Sequence, residues 1–358
     1  MKKTPLFAAH LARNATTEIL GDWLLPSSYG DTDAEVRAAA RGAVVFDLAN
    51  VGKVLLAGDQ VRRFCNGMFS NNIKKLKPGQ GNRSVCCDDR GRVQGVLDLY
   101  CVDDTHFLAV LDGVSTAWFE GRYELYAELD DIERTLLDEA PWVLSVQGPE
   151  AAQVLARLGL PAPEADHGHA LVAGADGDGL RVCRKDRTGL GGFDLLVPTD
   201  ALQATWEALL AAGATPAGHD ALDALRIAAG RARWPEDGTD KSMVHELRYN
   251  VECCAFDKGC YVGQEVINRI DVKGQLTKRL TGLVMAEDAL PPVGAEVVLG
   301  EEVLGTVTSA ARVLGQPLAL GVLRKAAWEP GTAVVVRAGD RSVAARTSDL
   351  PFEGVLSR

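Results

Sequence analysis

The sequence predicts an α+β core followed by a small C-terminal β-barrel. Two observations predict the core: a strand-turn-helix pattern that occurs twice, and two further amphipathic helices behind it. The third is a change of texture near residue 280, after which short β-branched runs alternate with Gly/Pro turns. The expected organisation is residues 1–140 and 141–279 as two repeat-like units interleaved in one core, with residues 280–358 as the barrel.

The first copy is VLLAGDQVRRFCNG (54–67), where an apolar strand meets Gly-Asp and then a helix with Val61, Phe64, Cys65 and Met68 on one face. The second is LSVQGPEAAQVLARLG (144–159), with Gly-Pro at the turn and Ala151, Val154, Leu155 and Leu158 on the helix face. A third helix is expected in TDALQATWEALLAAG, capped by Asp200, packed through Leu202, Trp206 and Leu209, and ended by Gly213. A fourth, HDALDALRIAAG, places Leu222, Leu225 and Ala229 on one face, with Asp220 as its cap and Arg226 beside that face. The barrel strands are read in LTGLVM, AEVVLG, LGTVTSA, TAVVVR and SVAART.

At 358 residues, with 47% apolar and 24% charged residues, the chain can bury a sizeable core. A net charge of −11 argues against broad binding to nucleic acid or anionic membrane, since both rest on a positive field. No run approaches the ~20 apolar residues of a membrane span. The N-terminal stretch MKKTPLFAAHLARNATTEIL is broken by His10 and Arg13 and does not read as a secretory leader. The expectation is a cytoplasmic protein with free thiols, because none of the eight cysteines stands in a C-x-x-C or zinc-like spacing. Adjacent pairs, Cys86-Cys87 and Cys253-Cys254, read as structural, since neighbours on a strand point to opposite faces. His167 and His169, in a polar Gly-rich loop, read as solvated.

The most distinctive stretch is KGCYVGQEVINR (258–269). Cys260 lies beside Lys258, between Gly259 and Gly263, just before a helix start at Gln264 and Glu265. A lysine and a helix N-terminus both favour the thiolate, which is the nucleophile and the metal ligand. Locally, two readings stand: a reactive thiol and a packed small hydrophobe. Asp194 opens an apolar strand in RTGLGGFDLLVP. Alternation turns it away from Phe193 and Leu195, either to an exposed edge or to a buried place where it accepts paired N–H bonds from a flat heterocycle. Arg269, Lys273, Lys278 and Arg279 gather after the cysteine and could receive an anionic tail or an acidic partner.

These pieces together resemble a family. KGCYVGQEVINR looks like the signature of the YgfZ-type folate-binding proteins, in the superfamily of the glycine cleavage system T-protein, the aminomethyltransferase. The segments VVFDLANVGK, VLSVQGPEAA, RTGLGGFDLLVP and GHDALDALRIAAGRARWPEDG follow that superfamily's order. The resemblance implies a T-protein-like ring of domains around a folate-sized hole. Tetrahydrofolate or a one-carbon derivative would lie near Asp194, Arg226 and Tyr261, with Cys260 as the working thiol. It further implies a role in assembling or repairing iron-sulfur clusters, in support of enzymes such as those that modify tRNA. Cys260 would then be a transient ligand of a cluster shared with a carrier or client protein. The alternative is a folate-dependent aminomethyltransferase or demethylase. T-proteins carry aspartates in a segment that aligns with RGRVQGVLDLY, where Gly95 and Val96 stand in their place. Asp98 lies two residues further on, and a register slip would restore it.

Overall fold

Val93–Cys101, nine residues with the apolar Val96, Leu97 and Leu99 among them, forms the longest strand of a five-stranded sheet. The computed structural model describes residues 1–173, 179–274 and 276–357. In that sheet the order is Gly81–Cys87, Val93–Cys101, His106–Asp112, Lys53–Ala57, Glu133–Leu137. Helices Val61–Met68 and Thr116–Leu129 cover it through Phe64, Cys65, Phe119 and Tyr123, which share a core with Leu97, Leu99 and Phe107.

A second sheet has six strands in the order His169–Val172, Leu180–Arg184, Gly192–Val197, Trp142–Gln147, Val44–Asp47, Thr215–Pro216. Helices Ala151–Arg157 and Thr199–Ala211 pack on one face through Val154, Leu155, Leu202 and Trp206. Both expected strand-turn-helix copies form, one in each sheet. The sheets are interleaved in the chain, because Val44–Asp47 pairs with Trp142–Gln147 although Lys53–Ala57, just after it, belongs to the first sheet. A short three-stranded sheet, Lys2–Lys3, Trp23–Ser28 and Thr16–Leu20, completes the N-terminal side.

The C-terminal strands close into a six-stranded barrel that begins at Lys278. Helix His219–Ala228 links it to the body: Leu225 and Ala228 share one core with Phe46 and Val143 of the second sheet, Tyr100 of the first, and Leu318 and Leu320 of the barrel. Closure removes the exposed strand edges that a small sheet would otherwise present.

Two expected caps differ. Helix Thr199–Ala211 begins after Pro198 and helix His219–Ala228 after Gly218, so Asp200 and Asp220 lie in the first turns, where their charge meets the positive end of the helix dipole. The amide of Gly218 is taken instead by Glu35 Oε2 at 2.7 Å, a partner from a distant helix.

Candidate functional site

Where the two sheets, helix His219–Ala228 and the segment 230–252 converge, they enclose a cavity of about 900 Å³. That lies within the roughly 300–1,000 Å³ range of small-molecule sites. Its wall mixes apolar side chains such as Leu48, Leu111 and Leu222 with the cations Lys185, Arg187, Arg231 and Arg233.

The register of the first sheet builds the floor. Arg83 stands directly opposite Asp98 on the neighbouring strand and donates to both of its oxygens at 3.1–3.2 Å. Arg83 also pairs with Asp112. From the second sheet, Lys185 follows strand Leu180–Arg184 and places Nζ 2.7 Å from Asp98 Oδ1. Asp98 is therefore a buried carboxylate shared by two cations. Burial works against its charge, but Lys185 and then Arg83 outweigh that and hold its carboxyl far below the usual range. A group so reluctant to accept a proton is a poor base.

Arg187 is fixed from below by Asp194 through three contacts of 2.6–3.1 Å. Asp194 is 2% exposed, on the face of its strand opposite Phe193 and Leu195. Of its two expected settings the buried one holds, but Arg187 supplies the paired N–H bonds expected from a ligand, and Asp194 does not itself line the cavity. Arg226 does line it, yet its guanidinium is spent on Asp223, Asp237 and Ser309. At the wall, Arg231 pairs with Asp186 at 2.8 Å and Arg233 pairs with Asp223.

The histidine loop is not solvated. His169 is buried, with Nε2 2.9 Å from Cys101 O and Nδ1 receiving Arg181 at 2.7 Å. Burial, with Arg181 beside it, pushes its proton affinity down to about 4, so it is neutral at pH 7. His167, at a left-handed φ of 54°, lies 3.5 Å from Asp98 and 3.8 Å from Glu252. Glu252 lines the cavity and is drawn down to about 2, first by His167.

Cys260 is exposed and stands outside the cavity lining. Lys258, expected to activate it, turns instead to three backbone carbonyls, those of Asn66, Phe69 and Asn71, at 2.6–2.8 Å. Its Nζ also sits 4.6 Å over the ring of Tyr261. Tyr261 is buried in an apolar cluster with Cys87 and Ile267 and does not line the cavity. Gln264 and Glu265 open helix Gln264–Lys273 as expected. Gly263 is required by the backbone: its φ is +85°, and a Cβ would lie 2.6 Å from Asp88 O. Gly259 has no such constraint. Arg269 and Lys273 lie exposed on that helix, Lys278 approaches Glu246 at 3.8 Å, and Arg279 stacks on Trp328; none lines the cavity. Among the described residues no group of three or more His, Cys, Asp or Glu side chains is placed to hold a metal ion, and no helix is long and apolar enough to cross a membrane. Those same residues give an iron-sulfur cluster no site of its own.

Sequence reasoning missed Lys185, Arg187, Arg231, Arg233, His167 and Glu252. The signals were the run RKDR (184–187) between two buried strands and the alternating arginines of GRARW after a helix stop.

Comparisons with known proteins match the same architecture. The family model "GCVT N-terminal domain" matches residues 6–258, and "Glycine cleavage T-protein C-terminal barrel domain" matches residues 278–353. An aminomethyltransferase of Mycobacterium tuberculosis (strain ATCC 25618 / H37Rv) is 30% identical, with 99% of this chain and 97% of the relative covered. One of Desulforamulus reducens is 29% identical over 98% of each chain. The crystal structure of glycine cleavage system aminomethyltransferase T from Bartonella henselae superposes with a TM-score of 0.88 at 23% identity, covering 99% of this chain and 98% of that one. With both domain models matched in order and relatives aligned end to end, the chain belongs to the glycine cleavage T-protein family.

Proposed function

We propose that this protein binds a reduced folate of the tetrahydrofolate type in the central cavity and transfers a one-carbon unit to it, in the manner of an aminomethyltransferase. The observation that carries the reading is the cavity: about 900 Å³ of space whose wall joins apolar surface to Arg187, Arg231 and Arg233. A flat heterocycle with a carboxylate tail matches that wall, because each of these guanidiniums has five N–H donors and keeps some of them beside its partner Asp194, Asp186 or Asp223 for a charge-assisted bond to a further carboxylate. The names of the full-length relatives support the reaction class. Bound there, the folate supplies the nitrogens that receive the one-carbon unit. The chain's own residues orient it. Asp194 holds Arg187 in place, and thus acts on the ligand through it.

Titration with 5-formyltetrahydrofolate, followed by tryptophan fluorescence, tests binding. Formation of methylenetetrahydrofolate from tetrahydrofolate and an S-aminomethylated thiol tests the reaction. Arg233→Gln is expected to weaken folate binding about tenfold, the worth of one charge-assisted contact. Absence of saturable binding by the wild-type protein sinks the reading.

A second reading is favoured by one observation: of the eight cysteines, Cys260 alone is exposed, and burial pushes the thiols of buried Cys86 and half-buried Cys254 up to about 12 and 11. Cys260 is then a thiol offered to a partner, in support of iron-sulfur enzymes. One cysteine cannot hold a cluster, so the partner would have to supply the other ligands. Cys260→Ser in cells that lack the wild-type protein is expected to lower iron-sulfur enzyme activity; unchanged activity removes this reading.

A further inference from the structure

We propose that Lys185 is the acid-base residue of the cavity, carrying a proton between the nitrogens that exchange the one-carbon unit, while Asp98 is the positioning residue that holds it. The inference rests on the folate reading above and assigns a residue for that chemistry. An ammonium has three N–H donors. Among the described residues Asp98 Oδ1, at 2.7 Å, is the one acceptor within hydrogen-bond reach of Lys185 Nζ, and Lys185 lines the cavity. Two donors are left for whatever the cavity holds.

The charged and titratable groups around Lys185 are Arg83, Asp98, Arg187 and Glu252, with Asp112 beside Arg83 and the His167 imidazole beside Asp98. Burial, then Arg83, lowers its hold on the proton from the ordinary lysine value, and Arg187 adds to this against the opposing pull of Asp98. The lowering moves Lys185 from the ordinary lysine value, near 10.4, towards the range in which an amine serves as both acid and base. Asp98 cannot take this part, because two cations hold its charge.

The step balances. As the donor's C–N bond breaks, the electron pair leaves with the departing nitrogen, which takes a proton from the Lys185 ammonium. As the acceptor nitrogen bonds to the carbon, its N–H bond breaks, and its proton passes to the neutral Lys185 amine. One proton has then moved from acceptor to departing nitrogen, which leaves as ammonia. A second exchange of the same form completes the methylene bridge: the C–S bond breaks, its electron pair leaves on sulfur, which takes a proton from the ammonium, and the second folate nitrogen bonds to the carbon and returns its N–H proton to the amine. An S-aminomethyl thiol and two N–H groups thus give a free thiol, ammonia and an N–CH2–N bridge; Lys185 ends as it began, and nothing is oxidised or reduced.

The test uses the full chain and Lys185→Arg, which keeps the charge beside Asp98 but holds its proton at pH 7. Expected are 5-formyltetrahydrofolate affinity within about twofold of wild type and transfer from the S-aminomethylated thiol lowered at least about 100-fold. In the ligand-free wild-type protein, ¹³C reductive methylation should show the Lys185 amine titrating below the surface lysines, assigned through the variant, or through Lys185→Gln should arginine not be accommodated. Wild-type transfer rates in folate-bound Lys185→Arg, or a Lys185 amine that titrates with the surface lysines, overturn the inference alone. Failure of the wild-type protein to bind folate or transfer the unit overturns the functional reading, and this inference with it.

Discussion

Replacing Asp98 by asparagine leaves Lys185 and Arg83 buried with their shared partner neutral. Breaking a buried pair in this way costs about 3–5 kcal/mol. The sign with pH follows from the lowered proton affinity of Asp98 in the folded state. Its stabilisation is complete above the unfolded value near 4 and is lost as pH falls from there towards the depressed folded value. Urea unfolding should therefore separate wild type from Asp98→Asn fully at pH 7 and progressively less below about pH 4. A difference that grew on acidification would contradict the ion-pair account. The sequence left this residue ambiguous for a physical reason. Val96 and Asp98 are two positions apart on one strand, so they share a face, and sliding the alignment by two changes no burial pattern. The deciding partner, Lys185, is 87 residues away.

At the scale of elements, the periodic helices and the strand-turn-helix copies were legible because apolar spacing reports directly on the face a segment buries. What joins the elements was not. Lys258 reads locally as an activator of Cys260, but its carbonyl partners lie in the last turn of helix Val61–Met68 and just beyond it, almost 200 positions earlier, and no local pattern announces them. Glycines that admit a neighbour are equally silent. Gly113 ends strand His106–Asp112 at φ +72°, on the cavity wall, against the Trp234 carbonyl. An added Cβ would meet that oxygen at 1.6 Å, far inside contact distance. Gly113→Ala must therefore displace segment 234–236 as well as strain its own backbone, which alone costs about 1–3 kcal/mol. Expected are a loss of at least about 2 kcal/mol in urea unfolding and weakened 5-formyltetrahydrofolate binding. Substitution with neither effect would show that the Trp234 segment yields freely.

For the whole molecule, the barrel was legible from its strand spacing, whereas its attachment to the body depends on groups far apart in the chain. Asp237 is the junction. It is 1% exposed and accepts from Arg226 Nη1 at 2.5 Å, the Arg233 amide at 2.9 Å, Thr308 Oγ1 at 2.5 Å and Ser309 Oγ at 2.7 Å. Thr308 and Ser309 lie on barrel strand Glu302–Val313, and Arg226 lies on helix His219–Ala228 and the cavity wall. One carboxylate thus ties barrel, helix and cavity together. Asp237→Ala leaves Arg226 buried beside the barrel with only part of its charge answered, by Asp223, and should cost about 3–5 kcal/mol. The apolar seam of Leu225, Leu318 and Leu320 is untouched, so body and barrel should still unfold in one calorimetric transition, at lower temperature. Removing both partners is different, because a buried pair replaced by apolar groups loses its desolvation cost along with its attraction. Asp237→Ala with Arg226→Met should therefore recover at least about 1 kcal/mol of the single variant's loss, a coupling of the size expected for residues in direct contact. Strictly additive losses in the double variant would place the cohesion of barrel and body in the apolar seam alone and remove Asp237 from that role.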